Sequence, residues 1–368
     1  MKFLFVINNS SPSNIPHVRH TFHEFVNEGF FSDYKEYPFR ERITHYNSSN
    51  KMGIELISLI NSYKPDVLLW NQLAGAGIPK QIFHRIRKAI PKSVLIQESA
   101  DTFFSIPSDM IKAGRVFDLT LLTCGGLIDN FRKKGCKNVI LFPEKADHVQ
   151  FGKKPESEGS KKYDVVMVAN RLNIRNPFRK YMFPGKNPMF FMDGQNLREK
   201  LVDIFTRKFG DRFALFGYGW DGYKASKGFL KFSEQESVLQ SAHMSLGTNN
   251  FNNVSYYFSN RVVNSLISGV PHLCKRSKDL EFFFKDKEHL FYFETPEEAV
   301  DIAETILRKN NSNHSEIGKN GRELVIQKHT ARIRYEYMLE LINAFKTNTL
   351  NQVKPNFFIE IPHGYSVV

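Results

Sequence analysis

Short, unbroken apolar runs recur along this chain, each followed by a polar or glycine-bearing loop and then by a stretch with helical spacing. Residues 2–7, 65–70, 93–97, 118–123 and 139–143 form the runs of the first half. Residues 163–169, 213–216, 244–247 and 272–274 form those of the second. Runs of this kind read as buried strands, and strands that alternate with amphipathic helices belong to an α/β protein with a parallel sheet. The helical stretches include one that begins near His17 with Phe22, Phe25 and Val26 inward, and others at 54–63, 81–89, 197–209, 296–308 and 317–325. Residues 34–50 are polar and aromatic with weak periodicity and are expected to form a strand and a long loop.

The alternation is interrupted once, by the charged and flexible composition of residues 152–162. With 368 residues, each side is long enough for its own core. The expected organisation is a first domain over 1–150, a linker over 151–162, a second domain over 163–330 and a closing helix over 331–350. Residues 351–368 are left unassigned. Three cysteines without paired spacing, Cys124, Cys136 and Cys274, fit a reducing compartment and argue against a disulfide framework. The apolar start, Met1 to Ile7, is too short for a signal peptide, and no run approaches the ~18 residues of a membrane span. A cytoplasmic protein is expected. The net charge of +13 is uneven: residues 153–231 hold 17 Lys and Arg against 8 Asp and Glu, a balance suited to a polyanionic partner.

Doubly wound sheets meet their ligands at the carboxyl ends of the strands, so the chemistry is sought in those loops. The strand at 93–97 ends in Glu98 and Asp101. A carboxylate in an apolar-walled cleft, here supplied by Phe103 and Phe104, can have its pKa raised toward general-base work. The loop of Asn71, Gln72, Gly75 and Gly77 carries glycines that let backbone approach a ligand. Arg171 and Arg175 stand four apart after the strand at 163–169, and guanidinium forks suit phosphate. At 259–271, Ser259 or Asn260 can cap a helix whose inner face is Val262, Val263, Leu266 and Ile267, with Gly269 and Pro271 ending it. Arg261 at that helix start adds a charge to N–H groups and a dipole that already favour an anion. No GxGxxG fingerprint follows the first strand, so no dinucleotide site is read there, and no metal-ligand spacing such as Asp-x-Asp is present, so no metal is expected.

Arg261, Asn264 and Gly269, followed by the run Asp279 to Phe284, resemble the C-terminal donor motif of GT-B glycosyltransferases, in particular the CgeB-type spore proteins and the bacteriophage DNA beta-glucosyltransferases. The turn Gly217-Tyr218-Gly219-Trp220 resembles the tyrosine-glycine-x-tryptophan motif of the CgeB type. The resemblance implies two doubly wound Rossmann-like domains facing a cleft. It implies a nucleotide-sugar-dependent hexosyl- or pentosyltransferase with a UDP-sugar as co-substrate and no cofactor. Arg171, Arg175 and Arg261 would take the diphosphate, beside Ser259 and Asn260, and the backbone near Phe229 would hold the base. Asn264 stands where the family has a ribose-binding glutamate, and an amide keeps the hydrogen bond without the charge. Asp101 matches the catalytic base, with Glu98 as the alternative, and Asn71, Gln72, Gly75 and Gly77 lie on the acceptor side. Retaining members carry a second glutamate where this chain has Tyr256, so inversion is implied. The acceptor it favours is hydroxymethylated phage DNA, with a cell-envelope or spore-surface glycan as the alternative. A non-catalytic nucleic-acid-binding protein on the same scaffold is the rival class.

Overall fold

The computed structural model describes residues 1–99, 101, 106–153, 161–171, 193–308 and 312–367. Two compact units emerge: Met1–Pro143 with Tyr335–Pro355 and Gly364–Val368, and Glu144–Arg334 with Asn356–His363.

The first unit is built on six parallel strands: β1 (Lys2–Ile7), β2 (Asp33–Pro38), β3 (Val67–Asn71), β4 (Val94–Ser99), β5 (Leu119–Leu122) and β6 (Val139–Leu141). Their order, β2-β1-β3-β4-β5-β6, is doubly wound and reverses direction between β1 and β3. Alternate residues of β1 explain why its run is unbroken. Phe3 and Phe5 meet Phe22 and Phe31 on one face, whereas Leu4 and Val6 join Leu68, Trp70 and Phe83 on the other. Residues 34–50 depart from expectation. After β2 the chain forms a helix, Phe39–Tyr46, and a second helix, Ser49–Tyr63, starts where Ser48 Oγ accepts from Lys51 N at 3.3 Å. The first of these helices buries only Phe39, which is why its periodicity is weak.

The second unit holds β7 (Tyr163–Val168), β8 (Phe213–Phe216), β9 (Ala242–Gly247), β10 (His272–Lys275) and β11 (Phe291–Phe293), all parallel, in the order β11-β10-β9-β7-β8. Its reversal lies between β7 and β9. The strand β11 is an addition to the sequence reading. Residues 144–150 pack into this unit, with Ala146 N donating to His329 O at 2.7 Å. Part of the unassigned tail does too: Phe357 and Phe358 lie against Phe283, and Ile359 N donates to Phe282 O at 2.9 Å. Among the described residues no helix is long and apolar enough to cross a membrane.

Candidate functional site

In the second unit the reversal of strand order places the loops after β7 and β9 side by side, the position at which such sheets bind ligands. The loop after β9 is asparagine-rich because it must satisfy its own backbone while buried. Asn249 Oδ1 accepts from Ser259 N at 2.9 Å, Asn249 Nδ2 donates to Ser277 Oγ at 3.0 Å, and Ser277 Oγ donates to Asn252 Oδ1 at 3.0 Å. This relay fixes the start of the helix Asn260–Ile267. Ser259 is the N-cap residue, yet its side chain caps nothing, and its buried Oγ has no hydrogen-bond partner among the described residues. Arg261 Nε is likewise buried and unpartnered there, and Arg261 Nη2 is 3.4 Å from Asn250 Oδ1. Burial lowers the Arg261 guanidinium pKa.

A second guanidinium converges on the same amide. Arg198, on the helix Asp193–Phe209, is buried and donates from Nη2 to Asn250 Oδ1 at 2.9 Å and from Nη1 to Asn170 O at 2.6 Å. Burial, and after it the like charge of Arg261, pushes Arg198 down to about 9. Two guanidiniums, Arg198 buried and Arg261 half-buried, share one neutral acceptor beside a helix start and a hydroxyl that has no partner among the described residues. Such an arrangement suits an anion.

The sequence-derived donor residues divide around this site. Ser259 and Arg261 are in it, and Asn260 is exposed in the first turn of the same helix. Arg171 instead donates from Nε to Glu199 Oε1 at 2.9 Å and lies over the ring of Tyr223, and the Glu199 hydrogen bond raises its pKa. Arg175 lies outside the described residues, as do Phe103 and Phe104. Asn264 is buried, and its Oδ1 accepts from Asp147 N at 3.0 Å, which ties residues 144–150 to the helix. Phe229 is exposed and stacks on Tyr218. Arg198 was not singled out from the sequence; its partners come from loops about 28 and 52 residues away, so no local pattern marks it.

In the first unit the loops after β1 and β3 meet in the same way. Asn8 Nδ2 donates to Gln72 Oε1, and Arg40 donates from Nε to Asn8 Oδ1 at 2.9 Å and from Nη2 to Gln72 O and Ala74 O. Gln72 is held in the left-handed region at φ 53°, a strain of the kind that gathers at ligand sites. Gly75 and Gly77 have φ of +71° and +67°, and a Cβ on either would meet nothing, so conformation rather than crowding requires them. Asn71 is buried and donates to Glu98 Oε2 at 3.2 Å, and Tyr335 OH donates to the same oxygen at 2.8 Å. Glu98, 1% exposed, is thus a buried anchor for the last helix. Asp101 is exposed, with its backbone tied to Ser99 Oγ. Protein packed around its carboxyl raises its pKa by desolvation, an effect that its exposure to water screens.

Residues 179–340 match a family model described as glycosyl transferase-like. No curated protein matches the chain in sequence. Solved structures match over nearly its whole length. HepE from Anabaena, in complex with UDP and glucose, is 12% identical with a TM-score of 0.59, over 94% of this chain and 100% of that one. Sucrose-phosphate synthase from Thermosynechococcus elongatus is 13% identical with a TM-score of 0.58, over 95% and 100%. The N-terminal domain of trehalose-6-phosphate phosphatase from Candida albicans is 10% identical with a TM-score of 0.60, over 94% and 97%. The fold is GT-B. At these identities the likeness is one of architecture, and the chemistry of this chain rests on its own residues.

Proposed function

We propose that this protein is a glycosyltransferase that moves a sugar from a nucleotide-sugar donor to an acceptor hydroxyl. The observation that carries the proposal is the pair of converging guanidiniums, Arg198 and Arg261, beside a Ser259 Oγ without a partner among the described residues, at a helix start. A nucleoside diphosphate group offers its oxygens to both guanidiniums. As the sugar–phosphate bond breaks, charge grows on the departing diphosphate, and preorganised guanidiniums stabilise it without reorganising. The glycosyl transferase-like match over residues 179–340 and the UDP and UDP-glucose complexes of the HepE neighbour support a UDP-sugar as that donor.

In this reading Asp101 removes the proton of the acceptor hydroxyl, which attacks the anomeric carbon as the diphosphate leaves, and the configuration inverts. Its exposure favours it over Glu98, whose carboxylate is occupied by Tyr335 and Asn71. Asn71, Gln72, Gly75 and Gly77 line the acceptor side. Arg171 and Arg175 add charge for the diphosphate, and Asn264 reaches the ribose through the part of its amide not held by Asp147. Hydroxymethylated DNA is the acceptor favoured by the net charge of +13 and by the likeness to phage glucosyltransferases. A cell-envelope or spore-surface glycan is the second reading, favoured by the uncharged run Asn8 to Asn14 after β1.

Thermal shift against a panel of nucleoside diphosphates, with and without DNA, tests the class of function. Stabilisation by one nucleotide is expected. Stabilisation by DNA alone would replace the enzyme with a nucleic-acid-binding protein.

A further inference from the structure

The first unit carries a hydrogen-bond chain whose direction is fixed from one end. Arg40 follows β2, Asn8 follows β1 and Gln72 follows β3, so three neighbouring strands each send one side chain from the carboxyl end. Arg40 Nε donates to Asn8 Oδ1 at 2.9 Å, and Asn8 Nδ2 donates to Gln72 Oε1. An amide can turn either way, but a guanidinium has donors and no acceptor. The atom that Asn8 offers Arg40 must therefore be its oxygen, which turns its NH2 toward Gln72. The atom that Gln72 offers Asn8 must in turn be oxygen. The chain ends on Gln72 Nε2, which donates to nothing among the described residues.

The backbone holds that end in place. Gln72 is half-buried and left-handed at φ 53°, its N donates to Glu98 O at 3.0 Å, and its O accepts from Arg40 Nη2 at 3.0 Å. Arg40 is itself pinned at the start of the helix Phe39–Tyr46, where its N donates to Asn8 O at 3.2 Å. Bonds in such a chain polarise one another, and here the first donor is charged. Gln72 Nε2 is thus a stronger and more narrowly aimed donor than a free amide. A strained residue that ends a polarised chain on an open N–H is built to meet an oxygen.

Resting on the acceptor-side reading above, we propose that Arg40 and Asn8 are positioning residues that act through Gln72, and that Gln72 Nε2 donates to an oxygen of the acceptor substrate. The acceptor presents a lone pair at this point, as a sugar hydroxyl, a carbonyl or a phosphate oxygen does. A protonated amine in the same place would face the N–H groups and is rejected.

Steady-state transfer from a UDP-sugar to hydroxymethylated DNA and to an oligosaccharide, with UDP titrated by calorimetry, tests the chain. Gln72→Glu keeps the bond from Asn8 and replaces the terminal N–H groups by an oxygen. Asn8→Asp still accepts from Arg40 but has no N–H for Gln72, so the glutamine amide turns over. Each should raise the acceptor KM by about 5- to 140-fold, the cost of a hydrogen bond left unmade, with UDP affinity unchanged. In a Gln72→Ala background Asn8→Asp should add nothing, because Asn8 acts only through Gln72. Arg40→Lys, still a donor only, should lie nearer the wild type than Arg40→Gln, which can accept as well as donate. Wild-type acceptor KM in Gln72→Glu or in Asn8→Asp would overturn the chain and leave the transferase reading standing. So would an equal effect of Asn8→Asp with and without Gln72. A rise in KM that comes only with a loss of UDP affinity would make these residues a scaffold, which also overturns it. A wild type that glycosylates neither probe removes the transferase reading, and the proposal with it.

Discussion

Replacing Arg261 by methionine deletes a charge while keeping an unbranched side chain, and it should act in opposite directions on stability and on binding. The terminal nitrogens of Arg198 and Arg261 lie 2.9 and 3.4 Å from the same Asn250 oxygen. They are therefore within about 6 Å of each other, and at an effective dielectric of 20 two like charges at that distance repel by roughly 3 kcal/mol. The free protein bears that cost in the absence of an anion. Against its relief stands the loss of one long hydrogen bond, about 0.5–1.5 kcal/mol. Arg261→Met should thus stabilise the unliganded second unit by about 1.5–2.5 kcal/mol. The same change removes a charged contact to the diphosphate, about 1.5–3 kcal/mol, so UDP should bind about 10- to 140-fold more weakly. The chain has two tryptophans, Trp70 in the first unit and Trp220 buried in the second. Denaturant unfolding in a Trp70→Phe background lets Trp220 report the second unit alone, and calorimetry supplies the affinity. A collapse in stability with UDP affinity retained would refute the reasoning, because Arg261 would then belong to a structural pair.

Three further outcomes follow from the same geometry. Asp101→Asn should lower transfer by roughly 10²–10⁴-fold with nucleotide binding near normal, whereas Glu98→Gln should mainly destabilise the first unit, since it weakens the Tyr335 and Asn71 contacts; full transfer by Asp101→Asn removes the base. Burial pushes His272 down to about 3, below its unfolded value, so between that value and about 6.5 the unfolded chain binds the extra proton. Stability should therefore fall on acidification by about 1.4 kcal/mol per pH unit for this group, and His272→Gln should flatten the slope of unfolding free energy against pH; an unchanged slope contradicts it. Donor turnover should survive EDTA, because guanidiniums neutralise the departing diphosphate; complete loss restored by manganese would show that the phosphate site works otherwise.

Much of the architecture is legible in the sequence because both sheets are parallel and buried on both faces, which turns strands into unbroken apolar runs. Elements with one wet face were harder. The helix Phe39–Tyr46 buries a single residue and reads as loop, and the three-residue β11 is too short to stand out. The tail was unassignable because Phe357 and Phe358 find their partner, Phe283, far away in sequence. At the site, Arg261 was legible because helix start, cap and guanidinium are adjacent in the chain. Arg198 was not, since an arginine in an amphipathic helix looks solvated until the loops after β7 and β9 close over it. For Asn264 the motif position alone did not show that its oxygen serves the backbone of Asp147, since that partner lies 117 residues away.

The central claim is transfer from a nucleotide sugar. It is tested most directly by incubating the protein with a panel of UDP-sugars and two acceptors, hydroxymethylated DNA and an oligosaccharide, and following both UDP release and acceptor mass. The account predicts that one sugar nucleotide yields UDP together with an acceptor heavier by one sugar, and that Asp101→Asn and Arg261→Met suppress both signals. If the folded protein binds and turns over no nucleotide sugar with either acceptor, while it retains DNA, the account is contradicted and the scaffold is a binding module.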